Sequence, residues 1–480
     1  MNKRVLNIGL AVVLLLLSVA ACVLTYVSND AKPKYLFYFI GDGMGQNHIL
    51  ATEQYNAAVA GRKEIVPLCF SEFPVHTFVT SYSATNLVTD SAAAGTALAT
   101  GVKTANTYIG VDAEGVPHRS IAEAAIEEGY AVGLVSNVGI NHATPSAFYG
   151  HLNDRFGFAK LVDSYIATDI AFIAGSTIMR GKNNSDGTVT ANASVTTASL
   201  AAKVREAGIT VTTNPAEAAE ATGRVMLLAS DTKDQHIPYA IDRKSDTHSL
   251  VSFTKAAIAN LEKRASKKGF FLMVEGGKLD YAAHEHDAVA TFHEVNEFAE
   301  CVAVAVEFAR RHPKETLIVV TADHETGGMS LGWDNYEVRM EKFLGQKCSA
   351  LALTTEIQKM RDEGKRDWAE YKQVISERLG LWSRVEVTKE EERELRNSFD
   401  NIFMKRGPMV DGLYNKNEHL VYLAIRILSR HASLEWTSML HTSAHTPLYV
   451  SGVGAERFFE CRDNTDIPKT IATLILSQPL

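Results

Sequence analysis

The chain has 480 residues, 46% of them hydrophobic, with 12 prolines and a formal net charge of −8. Such a length buries a large core, and the composition excludes a disordered or low-complexity polymer. The acidic balance leaves no basic surface for a nucleic-acid partner.

Residues 1–34 read as an export segment and linker. Lys3 and Arg4 precede an apolar run from Ile8 to Ala21, the layout of a secretory signal peptide. Val19-Ala20-Ala21-Cys22 resembles a bacterial lipobox, which makes Cys22 the expected lipidated start of an exported, periplasmic or cell-surface lipoprotein. Apolar residues continue to Val27, so an uncleaved N-terminal membrane anchor is the alternative. Cys69, Cys301, Cys348 and Cys461 could form two bridges in an exported protein, with no pairing dictated.

From residue 35 the chain reads as one domain. Tyr35 to Ile40 is a continuous apolar run, as expected of a buried parallel strand. It ends in Gly41-Asp42-Gly43-Met44-Gly45, where glycines allow a tight turn and expose Asp42 at the carboxyl edge of a sheet, the edge at which ligands bind in open α/β folds. Next comes Val88-Thr89-Asp90-Ser91-Ala92-Ala93-Ala94-Gly95-Thr96-Ala97. Asp90 is placed to cap a helix, and Ser91 then lies in the first turn, facing free N–H groups and the positive end of the helix dipole. That position suits a phosphate, and a serine there becomes a nucleophile once a base or metal lowers its pKa.

Beyond it, strand and helix patterns alternate. Ser120 to Glu128 is predicted helical, Ala131 to Ser136 a strand, and Ile170 to Ala174 and Val225 to Leu228 further strands with a helix from Ala191 to Ala207 between them. Ser249 to Ser266 is predicted helix, Phe270 to Val274 strand, Ala288 to Arg311 helix and Thr316 to Thr321 strand. This rhythm predicts an α/β fold, doubly wound, with a mostly parallel central sheet and helices on both faces. It breaks between residues 331 and 435, a charged, mostly helical stretch carried by Glu356 to Glu370 and Lys389 to Arg396 and read as a helical lid insertion. Leu448 to Val450 and a helix near Ile467 to Ser477 resume the core pattern.

Two more apolar strands end in carboxylates. Phe270 to Val274 delivers Glu275, with Asp280 and His284 following, four apart and so on one face of a helical turn. Leu317 to Ala322 delivers Asp323 and His324. Carboxylate with imidazole suits zinc. Near the C-terminus His441 and His445 are both candidate ligands, and Arg155 is a candidate bidentate clamp for a phosphoryl group.

Taken together, Gly41-Asp42-Gly43-Met44-Gly45, Thr89-Asp90-Ser91-Ala92-Ala93, Val274-Glu275-Gly276-Gly277 and Thr321-Ala322-Asp323-His324 resemble the motifs of the alkaline phosphatases, and the likeness runs from Asp42 to the C-terminus apart from the insertion. The resemblance implies an enzyme that hydrolyses phosphate monoesters, with two zincs, one magnesium and a possible homodimer. It makes Ser91 the nucleophile and Arg155 the phosphate ligand. One zinc would take Asp280, His284 and His441, the other Asp42, Asp323 and His324, and magnesium Asp42, Thr144 and Glu275. His441 is preferred over His445 because its distance to Gly452 resembles the family's spacing. His142 stands where some relatives carry aspartate, and Tyr281 where relatives carry lysine or histidine. A phosphodiesterase or phosphate-transferring mutase of the same superfamily is the rival reading, a sulfatase lacks its Cys/Ser-x-Pro-x-Arg motif here, and a non-catalytic phosphate-binding surface lipoprotein is the alternative from another class.

Overall fold

The computed structural model describes residues 32–183, 189–190, 195–245, 247–265, 267–334, 336–403 and 409–480. The export segment, with its lipobox at Cys22, lies outside the described residues. Among those described, no helix is long and apolar enough to cross a membrane, and Cys69, Cys301, Cys348 and Cys461 are all free thiols.

The centre is a sheet of nine strands: β1 (Tyr35–Gly41), β2 (Val75–Val79), β3 (Ala131–Ser136), β4 (Phe172–Gly175), β5 (Thr210–Thr212), β6 (Val225–Leu228), β7 (Phe270–Glu275), β8 (Thr316–Ala322) and β9 (Thr446–Gly452). In space they run β2-β9-β8-β1-β7-β3-β4-β6-β5. Every pairing is parallel except those of β9 with β8 and with β2. The sheet is thus the mostly parallel one predicted, with β9 alone reversed.

Alternation along β1 shows why the run has no polar face. Leu36, Tyr38 and Ile40 pack on one side with the helices Ser91–Thr100, Ile121–Glu127 and Asp466–Ile475. Tyr35, Phe37 and Phe39 pack on the other with the helices Leu250–Arg264 and Ala288–Arg311. A strand covered on both faces can carry only apolar side chains.

Register then sets the site. β8, β1 and β7 are adjacent, with Gly41 level with Ala322 and Ile40 level with Glu275. Asp42, Asp323 and Glu275 therefore leave the sheet side by side, on strands about 4.8 Å apart.

The stretch read as an insertion is rooted on a short antiparallel pair, Met329–Leu331 with Leu434–Trp436, where Leu331 faces Leu434. Its apolar side chains, among them Leu353, Ile357, Tyr371, Ile375, Leu395, Phe399 and Leu428, form one cluster with Tyr55, Val289 and Phe292 of the helices beneath it. The helical trend expected from Glu356 to Glu370 is two helices, Ala350–Asp362 and Trp368–Leu379. Gly364, at φ +80°, breaks the first, and the Asp367 carboxylate caps the second.

Candidate metal centre

Ser91 opens a helix as its sequence suggests. Asp90 is extended and accepts the Ala93 N–H at 2.9 Å, and Gly101 ends the helix in the left-handed conformation. The serine is fully buried, its Oγ 3.1 Å from His324 Nε2. Arg155 is drawn to the same helix end, with Nη1 2.9 Å from Asp90 Oδ2 and Nη2 3.4 Å from His142 Nε2.

Around Ser91 the buried acids and histidines gather in three groups. Asp280, His284 and His441 form one, Asp42, Asp280 and His324 a second, and Asp42, His142 and Glu275 a third. The first is the set expected. In the second, Asp280 joins where Asp323 was expected, yet Asp323 is at hand. Its Oδ1 accepts from the backbone of Gly43 (3.0 Å) and His324 (2.8 Å), and Oδ2 lies 3.2 Å from His324 Nε2. In the third, His142 stands with Asp42 and Glu275. Thr144, also expected there, sits in the short helix Ala143–Ser146 that begins after His142, its hydroxyl buried without a hydrogen bond. His445 is exposed and takes no part.

The tautomers are legible from their partners. His284 Nδ1 faces the Met439 carbonyl at 2.5 Å and His441 Nδ1 the Thr89 carbonyl at 2.9 Å. A carbonyl only accepts, so both rings carry hydrogen on Nδ1 and turn the Nε2 lone pair inward. Thr326 does the same for His324: its hydroxyl donates to Asp280 Oδ1 at 2.5 Å and takes the His324 Nδ1–H at 3.2 Å. His284 Nε2 and His441 Nε2 then oppose each other at 3.2 Å, both 3.3–3.7 Å from Asp280 Oδ1. Facing lone pairs repel unless a cation lies between them.

The carboxylates carry the same message. Both oxygens of Asp42, and one each of Glu275, Asp280 and Asp323, are buried with no hydrogen-bond partner. Burial, then the neighbouring acids, pushes Asp42 well above the usual carboxylate range. Burial raises Asp323 to about 8 and Glu275 to about 7. Asp280 goes the other way, because His284, His441 and His324 outweigh its burial. Five unpartnered carboxylate oxygens and three inward-facing imidazole nitrogens are a donor set that fits divalent metals. Thr326, which joins two of the groups, was not singled out in the sequence, although it stands two residues after His324. Nor was Tyr414, whose ring lies 5.6 Å from that of His284.

A family model described as alkaline phosphatase matches residues 33–476. Alkaline phosphatase 4 of Bacillus subtilis (strain 168) is 32% identical over 448 residues, covering 91% of this chain and 88% of that protein. Alkaline phosphatase 3 of the same organism is 31% identical over 458 residues, covering 92% and 89%. Among solved structures, a cold-active alkaline phosphatase from Shewanella sp. superposes with a TM-score of 0.74 at 26% identity, over 92% of this chain and 99% of that one.

Proposed function

This chain belongs to the alkaline phosphatase family and is a phosphomonoesterase; from that premise we propose that it works through a phosphoserine at Ser91, with two zincs and one magnesium in the three groups of buried donors. The observation that carries the proposal is the inward turn of three Nε2 atoms and five unpartnered carboxylate oxygens around one buried serine.

In this reading Asp280, His284 and His441 hold one zinc, Asp42, Asp323 and His324 the other, and Asp42, Thr144 and Glu275 the magnesium. When bound, the zincs supply charge that activates the attacking oxygen and offsets the charge on the leaving one. The Ser91 Oγ attacks phosphorus in line, the bond to the leaving alcohol breaks, and water then cleaves the phosphoserine to release inorganic phosphate. The Arg155 guanidinium holds two phosphoryl oxygens, and the first turn of the helix Ser91–Thr100 adds backbone N–H groups. Positioning and charge do most of the work of such a transfer. Export and attachment through Cys22 are part of the same proposal, resting on the sequence of residues 1–27. The first experiment compares a phosphate monoester with a diester, with and without chelator. Monoester turnover that chelation abolishes and zinc restores is expected, whereas a faster diester reaction, or chelator-resistant turnover, refutes the reading.

A further inference from the structure

We propose that Tyr414 determines specificity: its ring forms a wall of the leaving-group site and favours monoesters of flat, apolar alcohols such as phenols. The inference rests on the phosphomonoesterase reading above and adds a substrate class to it.

Tyr414 lies in the turn of a hairpin, Met409–Asp411 with Lys416–Glu418, within the stretch 331–435 and 27 residues before His441, the expected ligand nearest to it in sequence. Its ring stacks on Tyr281, the residue after Asp280, with centroids 3.7 Å apart and planes 11° apart. It also stands 5.6 Å from the His284 ring and 5.8 Å from the His142 ring. One phenol thus reaches both the zinc group and the group that includes His142.

The hairpin is fixed in this place by buried polar bonds. Glu285, the residue after His284, accepts from Tyr239 Oη at 2.6 Å, from Asn417 Nδ2 at 3.0 Å and from Asn415 Nδ2. Asn417 Oδ1 takes the Thr354 hydroxyl at 3.0 Å, and Glu418 pairs with Arg361 at 2.6 Å. Two asparagines just after the tyrosine therefore bind it to the end of the helix that carries His284. A ring already stacked and held offers a broad apolar surface at little further cost in side-chain entropy.

Three large apolar side chains are exposed next in sequence to residues of the centre. Leu413, next to Tyr414, is 51% exposed, and Leu440, next to His441, is 58% exposed. Val88 is 40% exposed and precedes Thr89, whose carbonyl holds His441. Each adjoins in sequence a residue that touches the centre.

The test is the ratio of kcat/KM for phenyl phosphate to that for ethyl phosphate, measured on the metal-loaded enzyme with the inhibition constant for inorganic phosphate alongside. Comparing ratios between variants cancels the different intrinsic reactivity of the two esters. Tyr414→Ala is expected to lower the ratio by about two- to tenfold, the worth of one aromatic contact, with phosphate inhibition unchanged. Tyr414→Phe is expected to keep the wild-type ratio. If the alanine variant fails to fold, Tyr414→Leu, which keeps apolar bulk on Tyr281, decides by the same fall in ratio. An unchanged ratio in the alanine or the leucine variant overturns the proposal. So does an equal loss on both esters with weakened phosphate inhibition, which would place Tyr414 on the phosphoryl group. If the unmutated holoenzyme turned over neither ester, the phosphomonoesterase reading itself would fall.

Discussion

Thr326 offers a sharp test of the metal reading, because one buried hydroxyl serves ligands of two different groups. It donates to Asp280 Oδ1 at 2.5 Å and accepts from His324 Nδ1 at 3.2 Å. Thr326→Val keeps the shape and removes both bonds. A hydrogen bond to a charged group contributes about 1.5–3 kcal/mol, and stranding a buried N–H costs about 1–3 kcal/mol more. Part of this is recovered if water enters or the ring turns, so a net loss of about 1.5–3 kcal/mol is expected, a weakening of zinc of roughly 10- to 100-fold. Thr326→Ser retains the hydroxyl and should hold zinc within about threefold of the parent, the loss of a methyl contact being the smaller effect. Zinc affinity is measured by competition with a chromogenic chelator, and stoichiometry after dialysis shows whether both zinc groups are affected. The reasoning is refuted if the valine variant binds zinc as tightly as the parent. It is equally refuted if serine falls as far as valine, since the cause would then be packing.

Three further outcomes are expected. Ser91→Ala should lose most turnover and trap no covalent phosphate after an acid quench; labelled phosphoserine elsewhere would overturn the assignment. His142→Asp should tighten magnesium and lower the concentration needed for full activity, because burial, with Arg155 and His236 nearby, keeps His142 neutral, whereas an aspartate adds charge beside Asp42 and Glu275. Equal magnesium affinity in titrations of the two zinc-loaded proteins would refute it. Cys22→Ser should release the protein from the membrane fraction; firm retention of the variant, with residues 1–21 still present on the unmutated protein, would favour the uncleaved anchor.

Much of the fold was legible because its central strands are buried on both faces and so read as unbroken apolar runs. β1, β7 and β8 extend one residue beyond their predicted ends, and the helix Ala288–Arg311 has the predicted bounds. The elements missed are those whose environment blurs the pattern. β2 and β5 are the outermost strands of the sheet and keep exposed polar residues. The helix Gln46–Val59 buries His48, Thr52 and Glu53 on its inner side, which hides its apolar stripe. Strand order is likewise invisible along the chain. Three strands ending in acids suggest a shared site, but only the order β8-β1-β7 puts the acids side by side.

The residues that orient the expected ligands were the hardest to see, and the physical reason is that their partners are distant in sequence. His441 Nδ1 is fixed by a carbonyl 352 positions away and His284 Nδ1 by one 155 away. The stretch 331–435 joins the same network. Glu285, one residue past His284, holds the hairpin of Tyr414, and Asp287 accepts from Gln346 Nε2 at 2.7 Å and from the Ala350 backbone at 2.7 Å while it caps the helix Ala288–Arg311. His284, the hairpin and the first helix of the insertion are therefore bonded to one short stretch, residues 284–287. A segment attached in this way cannot shift without disturbing the helix that carries His284, so residues 331–435 belong to the architecture of the candidate site although none of the expected metal ligands lies within them.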